Sequence, residues 1–203
     1  MLITIEPVDS RQDRRAAFRI REQVFEREMG IAVPRLDLSS HTGALHLLAR
    51  VGPSAEAAGV LSIVDTSGDG ELHSLHGLAL DAGAKVARYT QLAVLSQYRG
   101  MNVPMIMMLE AHGRFVEPQR FSYTWLLFDA ERVASSFLCR RLGFIAMNTV
   151  SLSEYGRTRA LVRDENQPSS IQASIKARQY VEEYVGVLAS PQGAQRPVYQ
   201  GMQ

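Results

Sequence analysis

A mixed α+β fold, one sheet with helices packed on its faces, is what this sequence predicts, and three observations carry the prediction. Apolar runs bounded by turn residues are grouped early in the chain, which reads as strands joined by a hairpin. A strand, helix, strand, helix, strand alternation follows between residues 86 and 163. The chain is 203 residues and 22.5 kDa, 46% hydrophobic and 21% charged, which is enough apolar sequence for a real core and fits one domain or one domain with a tail.

Taken in order, Leu2 to Ile5 alternates weakly and ends at Pro7, as an opening strand does. Asp9 or Ser10 caps a helix through about Arg27, in which Ala17, Ile20, Val24 and Phe25 recur at helical spacing. Gly30 ends it, and Ile31 to Gly43 reads as an irregular loop. Leu45 to Val51 and Val60 to Val64 form an antiparallel hairpin across the small residues 52–58. Val86 to Leu95 has the length and content of a buried strand. Ser96 to Asn102 is a polar turn, and Val103 to Phe115 a helix in which Pro104 is tolerated because a first-turn amide lacks an intrahelical acceptor. Phe121 to Phe128 is an aromatic-rich strand, Ala130 to Arg141 a helix stopped by Gly143, and Phe144 to Val150 and Thr158 to Arg163 are further strands. A helix from Ser169 or Ser170 to about Leu188 carries an apolar stripe, and Pro191 to Gln203 has the composition of a tail. The expected organisation is a domain over 1–165, a C-terminal helix over 166–190 packing on it or on a partner, and a flexible tail over 191–203.

Composition excludes several functions. Lys and Arg total 22 against 21 for Asp and Glu, so the formal charge of +1 supplies no field for nucleic acid. The longest apolar run, around Val103 to Leu109, is far short of the roughly 20 residues of a spanning helix. The single cysteine, Cys139, cannot form an internal disulfide, and the charged start lacks an export signal, so the expected location is the cytoplasm. His73 and His76 have no evident third protein ligand, and no metal is expected.

The most informative stretch is Ala87-Arg88-Tyr89-Thr90-Gln91-Leu92-Ala93-Val94-Leu95-Ser96-Gln97-Tyr98-Arg99-Gly100, a strand running into a turn and a helix. It resembles the acyl-donor strand of the Gcn5-related N-acetyltransferase (GNAT) superfamily. Arg141-Leu142-Gly143-Phe144 is similar to that superfamily's late "LGF" turn, and Arg21-Glu22-Gln23-Val24-Phe25 with Gly30, Asp37 and His46 to its first helix, loop and second strand. The three pieces lie in the family's order and cover about residues 18 to 163.

The resemblance implies a mostly antiparallel twisted sheet and transfer of an acyl group from a pantetheine thioester, acyl-CoA, to a primary amine of a small molecule. It implies that Leu92, Ala93 and Val94 pair with the pantetheine amides as an added strand would, and that Arg99, Gly100, Met101, Asn102 and Val103 hold phosphate at a helix start. The backbone N–H of Val94 is the candidate oxyanion donor. His73, His76 or Glu71 is the candidate general base, and Cys139 or Leu138 stands where the family often has a Tyr that protonates the leaving thiolate, with Cys139 the candidate acid.

This chain also departs from the family. The phosphate loop, Arg99-Gly100-Met101-Asn102-Val103-Pro104, lacks two small residues of the "R/Q-x-x-G-x-G/A" form. A donor with a single phosphodiester, acyl carrier protein, is consistent with that. The branch using such donors, the N-acyl amino acid and acyl-homoserine-lactone synthases, has an "R-x-x-x-F" element that Arg21 and Phe25 fit. Asp37 would be its acidic loop residue, and Glu131-Arg132 followed by Tyr155-Gly156-Arg157-Thr158-Arg159 resembles its "ER" and "G-x-R" portions. Where that branch favours "E-x-S-R", this chain has Arg88 and Gln91, so that acid and that arginine do not carry over. Arg21, Phe25, Asp37 and Arg88 are the candidate substrate residues. Three readings follow: an acyl-CoA N-acyltransferase, a carrier-protein-dependent synthase, and a GNAT-fold binding module without activity. The C-terminal helix also leaves a homodimer open.

Overall fold

The structure is a computed structural model that describes residues 2–31, 43–68, 72, 78–131, 139–153, 156–185, 187–188 and 198–200, with side chains to residue 182. Among the predicted site residues, Asp37, Glu71 and His76 lie outside the described residues, as do His73, Arg132 and most of the helix expected over 130–141. The described elements are β1 (Leu2–Pro7), α1 (Arg11–Arg21), β2 (Ala44–Val51), β3 (Glu56–Asp65), β4 (Val86–Val94), α2 (Val103–Ala111), β5 (Tyr123–Asp129), β6 (Ile145–Ser153), β7 (Gly156–Asp164), α3 (Pro168–Val185), β8 (Val187–Leu188) and β9 (Val198–Gln200). Among the described residues, no helix is long and apolar enough to cross a membrane.

The chain divides into two compact units. The first comprises 1–62, 91–111 and 178–203, and the second 63–90 and 112–177. Strands β3 and β4 each run from one unit into the other.

In the first unit the strand order is β4-β3-β2-β1-β9-β8. β1 and β2 are antiparallel, with Ile3 opposite Val51 and Pro7 opposite Leu47. The predicted hairpin of β2 and β3 closes through a turn in which Gly52 has φ 77° and its N–H donates to Leu2 O at 2.8 Å; a left-handed residue suits glycine there. Val198–Gln200, in the stretch whose composition reads as a tail, adds to β1 as an antiparallel strand. Helix α1 begins at Ser10, not Asp9. Its hydroxyl accepts from the Asp13 amide at 3.0 Å while Asp13 accepts from the Ser10 amide at 3.2 Å, a reciprocal cap. The Ser10 hydroxyl, and then Arg50, hold the Asp13 carboxyl below its usual range. After Arg21 the helix widens into a π-turn, Glu22–Glu28, and ends at Gly30 with φ 67°. Its apolar stripe Ala17, Ile20, Val24 and Phe25 packs on Leu48 of β2, Val60 of β3 and Ala93 of β4. This is the periodicity of 3.6 meeting the periodicity of 2: every second residue of each strand faces the helix.

In the second unit the strand order is β6-β7-β5-β4-β3. β4 and β5 are parallel, with Val86 opposite Tyr123 and Tyr89 opposite Leu126, while β5–β7 and β6–β7 are antiparallel. The sheet is therefore mixed and mostly antiparallel, as expected. Its core gathers Leu72, Val86, Trp125, Ala160 and Val162. The "LGF" turn ends residues 139–141, which are helical, at Gly143 with φ 82°. A Cβ at Gly143 would stand 3.1 Å from Ala173 Cβ and 3.2 Å from Ser170 Cα, so α3 packs closely on this turn.

Candidate active site

The site is built on the far half of β4, within the first unit. In the second unit Thr66 N–H donates to Val86 O at 2.8 Å, and in the first Leu95 N–H donates to Ala58 O at 3.0 Å. These bonds make β3 and β4 antiparallel, and they are out of step. Eight steps along β3, from Thr66 to Ala58, answer nine along β4, from Val86 to Leu95. The extra residue is Gln91, whose φ of 56° lies in the left-handed region. A β-bulge thus sits at Gln91. The parallel ladder to β5 has already ended at Tyr89, so among the described residues Leu92 to Val94 has a ladder neighbour on one edge alone.

Alternation then decides which groups that open edge presents. Leu95 points its N–H at β3, so Val94 and Leu92 point their N–H and C=O the other way. Ala93 faces β3 with its backbone, and its carbonyl lies 3.2 Å from where a Gly59 Cβ would be. Of the three strand residues predicted to meet the donor, Leu92 thus offers its N–H and C=O and Val94 its N–H, since Val94 O accepts from Arg99 Nε, and Ala93 offers packing. Gly59 was not among the predicted residues; a glycine inside an apolar strand is the signal that marks it. A Cβ there would also stand 3.0 Å from Val94 Cγ2 and 3.3 Å from Met107 Sδ. Gly59→Val is expected to displace Val94 and cost about 1–3 kcal/mol, lowering Tm by roughly 2–12 °C in a chain of this size. Thermal unfolding by circular dichroism measures it, and an unchanged Tm would mean that this strand yields freely.

Beyond Val94 the chain makes a 3₁₀ turn, Ser96–Met101, closed by Asn102 with φ 58°, and enters α2 at Val103. Asparagine tolerates that conformation better than most residues, which is how the turn forms without the first small residue of the family's loop. Gly100 is exposed with open space around its Cα, Met101 and Asn102 are half-buried, and Val103 is buried. Arg99 folds back: its Nε donates to Val94 O at 2.9 Å and its guanidinium pairs with Glu28 at the end of the π-turn. Met105, Met107 and Met108 are buried core.

Arg21 and Phe25 belong to the same unit. Phe25 is buried in the α1 core. Arg21 is 3% exposed and donates to the Ser62 hydroxyl at 2.9 Å; the same hydroxyl lies 2.7 Å from His46 Nδ1 and 3.5 Å from Gln91 Oε1 at the bulge. His46, Ser62 and Gln91 stand two residues from Leu48, Val60 and Ala93 on adjacent strands, so they continue the face that α1 covers. In the sequence His46 is part of a strand motif, and Ser62 stands out from its strand by its polarity alone. The available signal was a polar residue at i±2 from a core residue on each of three strands.

Two predicted residues sit in the second unit. Arg88 lies over the Trp125 ring, 4.7 Å from its centroid. Cys139 is buried, and burial pushes its thiol up to about 12, which keeps it protonated and unreactive near neutral pH. Glu131 and Arg157 form an exposed pair at 3.1 Å.

No family model and no curated protein sequence matches the chain. Solved structures do. FeeM, an N-acyl amino acid synthase from uncultured soil microbes, superposes with a TM-score of 0.66 over 87% of this chain and 97% of its own, at 17% identity. This is the fold of the GNAT acyltransferases. The acyl-homoserine lactone synthase BjaI, described as CoA-dependent, gives 0.59 over 87% and 89% at 14% identity. An acyl-CoA N-acyltransferase from Pseudomonas aeruginosa gives 0.58 over 80% and 99% at 18% identity. The GNAT fold predicted from the donor strand and the "LGF" turn is thereby found, with its C-terminal helix.

Proposed function

We propose that this GNAT-fold chain is an N-acyltransferase that moves an acyl group from a pantetheine thioester to a primary amine by direct attack. The open edge of β4 between the Gln91 bulge and the 3₁₀ turn carries the reading. A pantetheine arm has amides suited to pairing with Leu92 and Val94 as an added strand, and the edge supports that with the N–H and C=O of Leu92 and the N–H of Val94. Its phosphate end would lie at the turn, where the α2 start and Arg99 favour an anion. Its thioester would then lie toward the bulge. Attack forms the C–N bond, an outward-pointing N–H of the open edge donates to the oxygen on which charge develops, the C–S bond breaks, and the thiolate leaves. The amine proton passes to a base. Holding both reactants on one rigid strand supplies much of the rate through orientation.

Two observations favour a carrier-protein donor as the second reading. Pro104 removes an amide from the first turn of α2, and Glu28 engages the Arg99 guanidinium. Both reduce the donors available to a pyrophosphate and matter less to a single phosphodiester.

The test is thiol release with acetyl-CoA, a long-chain acyl-CoA and a long-chain acyl carrier protein, each against pooled amino acids and polyamines, with mass spectrometry of products. Turnover with a CoA ester supports the first reading and turnover only with the carrier protein the second. Arg99→Ala is expected to raise the donor KM about tenfold, the worth of one hydrogen bond to a charged group. Silence with every donor, together with no thermal shift on adding CoA, would make the chain a binding module without this activity.

A further inference from the structure

The turn that would receive the donor's phosphate holds one cation, and acids already engage its donors. We propose, resting on the acyltransferase reading, that Glu28, seconded by Glu56, selects the donor by charge, accepting a pantetheine arm with one phosphodiester and disfavouring one that brings a pyrophosphate. Arg99 is the cation of the 3₁₀ turn Ser96–Met101. Its Nε donates to Val94 O at 2.9 Å and its Nη2 to the Glu28 carboxylate, so its charge is countered before a donor arrives. Gln23 Nε2 lies 3.5 Å from the other Glu28 oxygen and helps to hold that carboxylate in place. The remaining guanidinium N–H groups, on a side chain 49% exposed, are what an incoming phosphate can meet.

Glu56 is the second acid. Leu95 N–H donates to Ala58 O, so the start of β3 runs beside the end of β4, and Glu56, two residues before Ala58, reaches the same turn. There the Tyr98 hydroxyl donates to the Glu56 carboxylate, a bond that holds the phenol above its usual range. Among the described residues of this turn, Arg99 and Tyr98 are thus each answered by a carboxylate from another element, one from the π-turn and one from β3. The π-turn adds the exposed Glu26, while its Arg27 pairs with Glu22 at 3.1 Å. The repulsion that a fixed carboxylate exerts on a bound anion grows in proportion to the charge the anion brings. A phosphodiester brings a single charge, a pyrophosphate at least twice that, and the 3′-phosphate of CoA adds more. Glu28 therefore disfavours the polyphosphate donors by more than the phosphodiester, which is selection through a repulsive element. Pro104 acts in the same direction, because the start of α2 lacks an amide that a second phosphate would use.

The experiment is a ladder of donors of rising charge that share one acyl chain: acyl-pantetheine, acyl-dephospho-CoA and acyl-CoA. Each is given to the full chain, to Glu28→Gln and to Glu56→Gln, with kcat and KM read by thiol release, and donor binding by the shift in Tm. Glutamine keeps an oxygen for Arg99 and drops the charge. Glu28→Gln is expected to lower the acyl-CoA KM about tenfold, that of acyl-dephospho-CoA by less, and to leave acyl-pantetheine unchanged. Raising the salt from about 50 to about 500 mM is expected to shrink the gain. Glu56→Gln is expected to move the ladder in the same direction by a smaller factor. An equal change with all three donors would make Glu28 a residue that merely positions Arg99, and no change would make it a surface pair; either overturns the selection and leaves the acyltransferase reading intact. Should Glu28→Gln fail to fold, an unmoved ladder in Glu56→Gln overturns it equally. A native chain silent with CoA esters beside a Glu28→Gln chain that uses them would support it most directly. If neither chain turns over or shifts in Tm with any donor, acyl carrier protein included, the acyltransferase reading falls, and this assignment with it.

Discussion

Arg163→Ala is expected to cost about 3–5 kcal/mol and to lower Tm by roughly 6–20 °C. Arg163 is 3% exposed and lies 3.0 Å from the Glu165 carboxylate, itself nearly buried. The guanidinium also donates to Leu142 O at 2.8 Å, Ser170 O at 3.1 Å and Ser174 Oγ at 2.7 Å, so one side chain of β7 ties the "LGF" turn and the start of α3 into the second unit. Removing it leaves the Glu165 charge without its cation and the two backbone carbonyls without their donor. Glu165 keeps His112 Nε2 at 2.9 Å and Thr124 Oγ1 at 2.5 Å, which limits the loss. The double variant Arg163→Met, Glu165→Gln is expected to recover much of it, since a buried pair removed together no longer leaves a lone charge. Trp125 fluorescence in urea measures both variants. A single variant as stable as the native chain would show that water reaches Glu165.

Trp125→Ala is the second large loss expected, about 3–5 kcal/mol. The ring is fully buried among Leu72, Val86, Ala160 and Val162. Its indole N–H donates to Thr66 Oγ1 at 3.2 Å, and Arg88 covers one face. Truncation opens a cavity and strips the arginine of its aromatic support. Trp125→Phe keeps the ring and loses the N–H, so it is expected to cost clearly less than the alanine variant. Unfolding by far-UV circular dichroism separates the two, and equal losses would place the energy in the Thr66 bond instead of in packing.

The strands and helices were legible because their signals are local. The stripe Ala17, Ile20, Val24, Phe25 announces α1, the alternation in residues 45–64 announces the hairpin, and Val86 to Gly100 announces strand, turn and helix. Part of the site was legible for the same reason: Leu92 to Asn102 is one contiguous run, and the turn that carries Arg99 is encoded beside it. Cys139 looked like a candidate because a helix position is visible in sequence, whereas its burial and raised pKa depend on what surrounds it. Arg99 was read as a side chain toward phosphate, and its pairing with Glu28 brings together residues 71 apart in sequence.

The α+β class and the order of the elements are written in the sequence, since hydrophobic periodicity and turn chemistry act over a few residues. Tertiary structure alone decided the bulge at Gln91, which appears only when β4 is laid against β3 and found one residue too long. It alone decided the meeting of Arg21, His46, Ser62 and Gln91. Those residues come from α1 and three strands, and their contacts exist only because helix packing and strand register place the four on one face. Hydrogen bonds between distant residues are products of register, and register belongs to the assembled sheet.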